Sequence, residues 1–175
     1  LAQLIETRDV TGVTTNPTIF QGAISAGIGY EEAIAAQAAA GASVDDAIFA
    51  ITTTDVRDAS DIFRPIYDAT NGVDGRVSIE VSPDLAHDTD ATVAQAKELH
   101  AAVDREHVLI KLPAPLAGIP AITEAIGAGI LVHVKPTFSP ARSDLVIDAY
   151  LAALEQAQPA APHLPPPPPA PPASF

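Results

Sequence analysis

The sequence of 175 residues contains no cysteine, no methionine and no tryptophan. Without cysteine, disulfides and thiolate metal sites are excluded, but the compartment is not decided. Methionine is missing even at position 1, so the chain reads as a piece of a longer reading frame or a processed product. Basic residues are scarce, and the formal net charge is −13. That balance argues against broad binding to nucleic acid or to an anionic membrane, which both need basic surface. A phosphorylated small molecule remains open, because a local cluster can hold one phosphate in an acidic protein. No apolar stretch is long enough to span a bilayer. The start, Leu1-Ala2-Gln3-Leu4-Ile5-Glu6, has no basic region of the secretory kind.

Lysine occurs at three positions only: Lys97, Lys111 and Lys135. Two of these end apolar runs just before proline, in Val108-Leu109-Ile110-Lys111-Leu112-Pro113 and Ile130-Leu131-Val132-His133-Val134-Lys135-Pro136. Lysines that serve solubility would not be expected to gather there. A charged group in such a run is costly to bury unless paired or neutralised. Desolvation favours the free amine, which attacks carbonyls to form Schiff bases. The alternative is a strand-end lysine with a buried stem and its head in water.

Four segments read as strands: Val10–Thr14, Arg76–Val81, Val108–Leu112 and Ile130–Lys135. The last two are nearly continuous apolar runs, which suit a parallel sheet covered by helices. Helical patterns lie between them. Ser43-Val44-Asp45-Asp46 predicts a helix start, running with or without a break to near Tyr67. Asp88 or Thr89 caps a helix through about Val103, with Val93, Ala96 and Leu99 on one face. Pro120 to Ile126 forms a short helix. Ser139 or Ser143 starts a last one through Gln156, with Val146, Ile147, Tyr150, Leu151 and Leu154 inward. Strands alternating with helices imply βαβ units. Residues 157–175 differ in kind. The run Pro165–Pro169 predicts an extended, disordered, proline-rich tail after a domain spanning 1–156.

Strand side chains two apart share a face. Thr14 and Asn16 share one, as do Ser78 and Glu80. Lys111 opposes Ile110 and Leu112, while His133 and Lys135 oppose Val132 and Val134. Each strand thus has an aliphatic face and a polar position at its carboxyl end on the other face. In an α/β barrel these ends converge on one mouth, where catalytic groups sit. Lys111 would attack a ketone, and the protonated imine would serve as electron sink for breaking the adjacent carbon–carbon bond. Glu80 would act as acid or base, through a water. Asn16 would hydrogen-bond a substrate hydroxyl. The competing readings are a salt-bridged Glu80, with Lys111 as its partner, and Asn16-Pro17 as a helix entry.

Taken together, Gly12-Val13-Thr14-Thr15-Asn16-Pro17-Thr18-Ile19-Phe20, Val77-Ser78-Ile79-Glu80-Val81, Ile110-Lys111-Leu112-Pro113 and Asp148-Ala149-Tyr150-Leu151 resemble transaldolase. The resemblance covers roughly residues 1 to 156. It implies a (β/α)8 TIM barrel of the class I aldolase type, incomplete here, with about four βα units and barrel strands two to five. It implies a cytoplasmic enzyme of the pentose phosphate pathway, with sugar-phosphate substrates and no metal or organic cofactor. The reaction implied moves a dihydroxyacetone unit through a lysine Schiff base. Sedoheptulose 7-phosphate and glyceraldehyde 3-phosphate then give erythrose 4-phosphate and fructose 6-phosphate. Lys111 matches the Schiff-base lysine, Glu80 the glutamate working through water, and Thr14 and Asn16 substrate-site positions.

The departures from the family pattern are specific. By the resemblance, the strand that carries the family's proton-transferring aspartate is expected to lie before this sequence, and the phosphate-gripping strand outside it as well. His133 stands at an asparagine position near the Schiff base, and Lys135 at a threonine that holds the catalytic water. Both are counted as substrate-facing. Pro115, Leu116, Pro136 and Thr137 replace family residues too. The expectation is an impaired enzyme fragment. The alternatives are a class I aldolase cleaving fructose 6-phosphate, or a non-catalytic remnant whose proline-rich tail binds SH3 or WW grooves. An intact barrel needs about 250 residues, so open sheet edges are expected to drive self-association.

Overall fold

Parallel strands in sequence order form the centre of the molecule. The computed structural model describes residues 1–27, 29–135 and 139–157. The elements run α1 (Ala2–Arg8), β1 (Val13–Thr14), α2 (Pro17–Ala26), α3 (Glu31–Ala39), α4 (Val44–Ala69), β2 (Val77–Glu80), α5 (Thr89–Val103), β3 (Val108–Leu112), α6 (Ile119–Gly127), β4 (Val132–Val134) and α7 (Pro140–Ala157). The sheet order is β1-β2-β3-β4, every pair parallel. The order never reverses, as it does in a doubly wound sheet. Stepping always in one direction keeps the crossover helices on one side and curls the sheet. The architecture is α/β, a partial (β/α)8 barrel. Among the described residues no helix is long and apolar enough to cross a membrane. The proline run of the tail, with Pro136 and Thr137, lies outside the described residues.

The aliphatic parity of the strands makes the core. Val77, Val81, Val108, Ile110 and Leu112 are fully buried and Ile79 nearly so. They pack with Val56 and Phe63 of α4, Leu99 and Val103 of α5, and Ile122 and Ala125 of α6. Burying one such side chain is worth about 1.5–3 kcal/mol. Val93, Ala96 and Leu99 all lie on the buried face of α5. Asp88 caps that helix through the Ala91 amide, 3.0 Å away. Ser43 caps α4 through the Asp46 amide at 3.1 Å.

Several expectations shift at the edges. β1 is shorter than the Val10–Thr14 run, with only Val13 and Thr14 paired to β2, and just before it the chain runs so close that a Cβ on Gly12 would lie 2.8 Å from the Arg76 carbonyl oxygen. Helices α1 and α3 had no strong apolar stripe to announce them, and neither contains a buried residue. In α7 the inward set differs from the one expected. Ile147 and Leu151 are 54% and 52% exposed, whereas Ala149 and Ala153 are buried and Val146, Tyr150 and Leu154 pack against the core. Positions 146, 149, 150, 153 and 154 form one helical stripe. Its alanines let α7 approach α6 so closely that the Thr123 hydroxyl donates to the Ala149 carbonyl at 3.1 Å.

Candidate active site

The polar parity of the strands collects on the face opposite the core. The register pairs Glu80 with Lys111 and Lys111 with His133 in one row across β2, β3 and β4. Neighbouring parallel strands lie about 4.8 Å apart, so these side chains stand side by side. Lys135 follows β4 directly, held by its own amide donating to the Leu112 carbonyl at 3.1 Å.

Glu80 is the pivot. Its side chain is 1% exposed, and its two oxygens face two ammonium groups. Oε2 lies 3.3 Å from Lys111 Nζ, and Oε1 is in close contact with Lys135 Nζ. The Lys111 contact is a charge pair without hydrogen-bond alignment: Oε2 accepts no hydrogen bond among the described residues. Lys111 Nζ instead donates to the Thr15 carbonyl, 3.1 Å away. A side chain that is 11% exposed thus keeps its amine at the carboxyl end of β3, with partners from β2 and from the end of β1. Lys135 is 41% exposed and reaches the same carboxylate from the rim. The competing reading of Glu80 as a salt-bridged residue therefore describes the resting arrangement, with Lys135 added to it.

His133 is partly buried, and its Nδ1 lies 3.0 Å from the Ser78 hydroxyl oxygen. Burial first, and then the neighbouring Lys111 charge, hold the imidazole below its ordinary range; Glu80 opposes them. The ring is therefore neutral near pH 7.

Asn16 caps α2, its side-chain oxygen accepting from the Ile19 amide at 2.8 Å. The helix-entry reading is correct for this oxygen, and the amide nitrogen has no partner among the described residues. Thr14 is exposed at the end of β1, in register with Ser78. The structure thus brings together Lys111, Glu80 and Lys135, sets His133 beside them through Ser78, and leaves Thr14 and Asn16 at the β1 edge. Two contributors were not among the expected site residues. Ser78 shares the parity of Glu80, and that signal was legible. Thr15 contributes its carbonyl, which no side-chain pattern reveals; its hydroxyl donates to the Ser78 carbonyl at 2.8 Å, tying β1 to β2. Among the described residues no group of three or more His, Asp or Glu side chains is disposed to hold a metal ion.

The fold is an arc of a (β/α)8 barrel with a buried amine among its strand ends. The chain belongs to the transaldolase/fructose-6-phosphate aldolase family, whose model matches residues 1–164. It is 61% identical over 160 residues to Transaldolase 1 of Streptomyces avermitilis, covering 91% of this chain and 42% of that protein. It is 60% identical, with the same coverage, to Transaldolase 1 of Streptomyces coelicolor. The transaldolase of Mycolicibacterium smegmatis is 55% identical over 160 residues, 43% of its own length. The chain spans about two fifths of the length of these curated relatives.

Proposed function

We propose that this chain carries the amine half of a transaldolase active site, with Lys111 as the nucleophile. The observation that carries the reading is the buried Lys111 amine at a strand's carboxyl end, 3.3 Å from a glutamate that is itself 1% exposed. The amine nitrogen adds to the ketone carbon of a sugar phosphate and the oxygen takes up a proton. Loss of water leaves a protonated imine. The imine accepts the electron pair released when the neighbouring carbon–carbon bond breaks, and an aldehyde leaves. The retained three-carbon enamine then attacks an acceptor aldose phosphate, and water releases the product. Glu80 holds charge beside the amine and, through Oε2, offers an acceptor for a water or a substrate hydroxyl. Thr14 and the free amide of Asn16 contact substrate from the β1 edge.

Full transfer is impaired in this chain. Lys135 sits on the Glu80 oxygen that a water would otherwise use. Residues 1–156 act as the barrel portion, in the cytoplasm, with the proline-rich 157–175 as an appendage. The open edges β1 and β4 favour self-association. Cleavage of fructose 6-phosphate without transfer is the nearest second reading, because the imine and the bond-breaking step are common to both.

The test is borohydride reduction of the chain in the presence of fructose 6-phosphate. A stable adduct of one dihydroxyacetone unit on the intact mass is the expected result. A folded sample that gains no mass refutes the reading.

A further inference from the structure

The site holds a second polar pair that the amine reading does not use. We propose that His133 is the proton-transfer residue for imine formation at Lys111, and that Ser78 is the residue that positions it. This rests on Lys111 being the nucleophile.

The row Glu80–Lys111–His133 sets the imidazole on the strand next to the amine and on the same face. Imine formation needs a group that takes a proton and returns it. Attack by the neutral amine gives a nitrogen with a proton to lose, and the carbinolamine hydroxyl needs a proton to leave as water. Lys135 occupies Oε1 of Glu80, and Oε2, the acceptor for a water or substrate hydroxyl, stands against the Lys111 charge, which leaves the shuttle to another group. His133 is the remaining titratable group beside the amine. Its Nδ1 is occupied by the Ser78 hydroxyl at 3.0 Å, and among the described residues Nε2 has no partner. A serine hydroxyl both donates and accepts, so it satisfies Nδ1 whether the ring is neutral or protonated. Ser78 is only 3% exposed and lies in the interior of β2, so it holds the ring from a fixed point. Nε2 is then the atom that exchanges protons. The neutral state fits the role too: burial and Lys111 keep the ring able to accept. The charged groups facing it are Lys111 on the adjacent β3, Glu80 on β2 beyond it, and Lys135 just past its own strand.

Nε2 accepts a proton from the Lys111 nitrogen as the carbon–nitrogen bond forms and passes it to the ketone oxygen, giving the carbinolamine. A second proton, taken up by Nε2 from solvent, goes to the hydroxyl as the carbon–oxygen bond breaks. Ketone, amine and one proton give protonated imine and water, and the imidazole returns to its starting state.

The experiment measures the rate of borohydride-trapped adduct at Lys111 with fructose 6-phosphate, across pH, in the parent chain, His133→Asn, His133→Ala and Ser78→Ala. Positioned acid–base groups contribute about 10²–10⁴-fold, and the lower end is expected for His133→Asn. The parent rate should fall on acidification as both the amine and the imidazole take up protons, and the His133→Asn profile should keep only the fall due to the amine. Added imidazole should restore much of the rate to His133→Ala. Ser78→Ala should keep both contributions at a lower rate, and nitrogen–proton NMR of the His133 ring should change from one tautomer to a mixture. An adduct that forms at the parent rate and with the parent pH profile in His133→Asn, or a His133→Ala variant blind to imidazole, overturns the role of His133 and leaves Lys111 standing. A folded parent with no adduct at Lys111 refutes the amine reading and this proposal with it.

Discussion

Replacing Glu80 by glutamine tests the charge arrangement on which the site depends. The substitution keeps shape and removes one negative charge from between two ammonium groups. At 3.3 Å the Glu80–Lys111 attraction is about 5 kcal/mol gross at an effective dielectric of 20. Most of that offsets the cost of holding both groups out of water. What the variant loses is different: it strands an ammonium whose side chain is only 11% exposed. Stranding one partner of a buried pair costs about 3–5 kcal/mol. Lys135, at 41% exposure, can turn to water and contributes little, so the lower end, about 3 kcal/mol, is expected. Urea denaturation reads this as a lower midpoint at unchanged slope. The double variant Glu80→Gln with Lys111→Met should recover most of the loss, because no unpaired charge remains. A Glu80→Gln midpoint within about 0.5 kcal/mol of the parent, the range of ordinary surface changes, would refute the buried ion triad.

Three further outcomes follow from other parts of the structure. Gly75 has φ +76°, and an added Cβ would lie 2.4 Å from the Tyr67 amide nitrogen, so Gly75→Ala should destabilise by about 2–5 kcal/mol in the same urea assay. The Tyr30 hydroxyl donates to Asp55 at 2.6 Å, which raises the phenol to about 12 and ties the start of α3 to α4. Tyr30→Phe should cost about 1 kcal/mol, with amide exchange faster in α3 than elsewhere. Burial and the Lys111 charge lower the His133 imidazole's pKa in the folded chain, so between the folded and unfolded pKa values the unfolded chain binds more protons. Stability should therefore fall as pH drops through that window and hold above it, and His133→Asn should flatten this part of a thermal-melt pH series.

The strand pattern was the most legible part of the fold. Short apolar and β-branched runs located all four strands, and parity within them separated an aliphatic face from a polar one, because burial on the helix-facing side forces aliphatics onto one parity. The same alternation put Glu80, Lys111, His133 and Lys135 on the opposite face, where three of them form one row and Lys135 joins through Glu80. Local caps were readable too, Asp88 and Ser43 among them. What escaped depends on neighbours distant in sequence. Helices α1 and α3 bury no side chain, so no stripe marks them. The α7 face was misread because Ala149 and Ala153 are chosen for closeness to α6 rather than for hydrophobicity. The Lys111–Thr15 bond joins a side chain to a carbonyl 96 residues away, which a side-chain pattern does not record.

The most direct measurement is peptide mapping of the reduced fructose 6-phosphate adduct. The chain offers Lys97, Lys111 and Lys135 as side-chain amines. Modification confined to the peptide containing Lys111 is the predicted result, although Lys135 is the more exposed of the two lysines on Glu80. Modification spread over all three, or concentrated at Lys135, would mean that exposure rather than the site selects the amine, and would contradict the account.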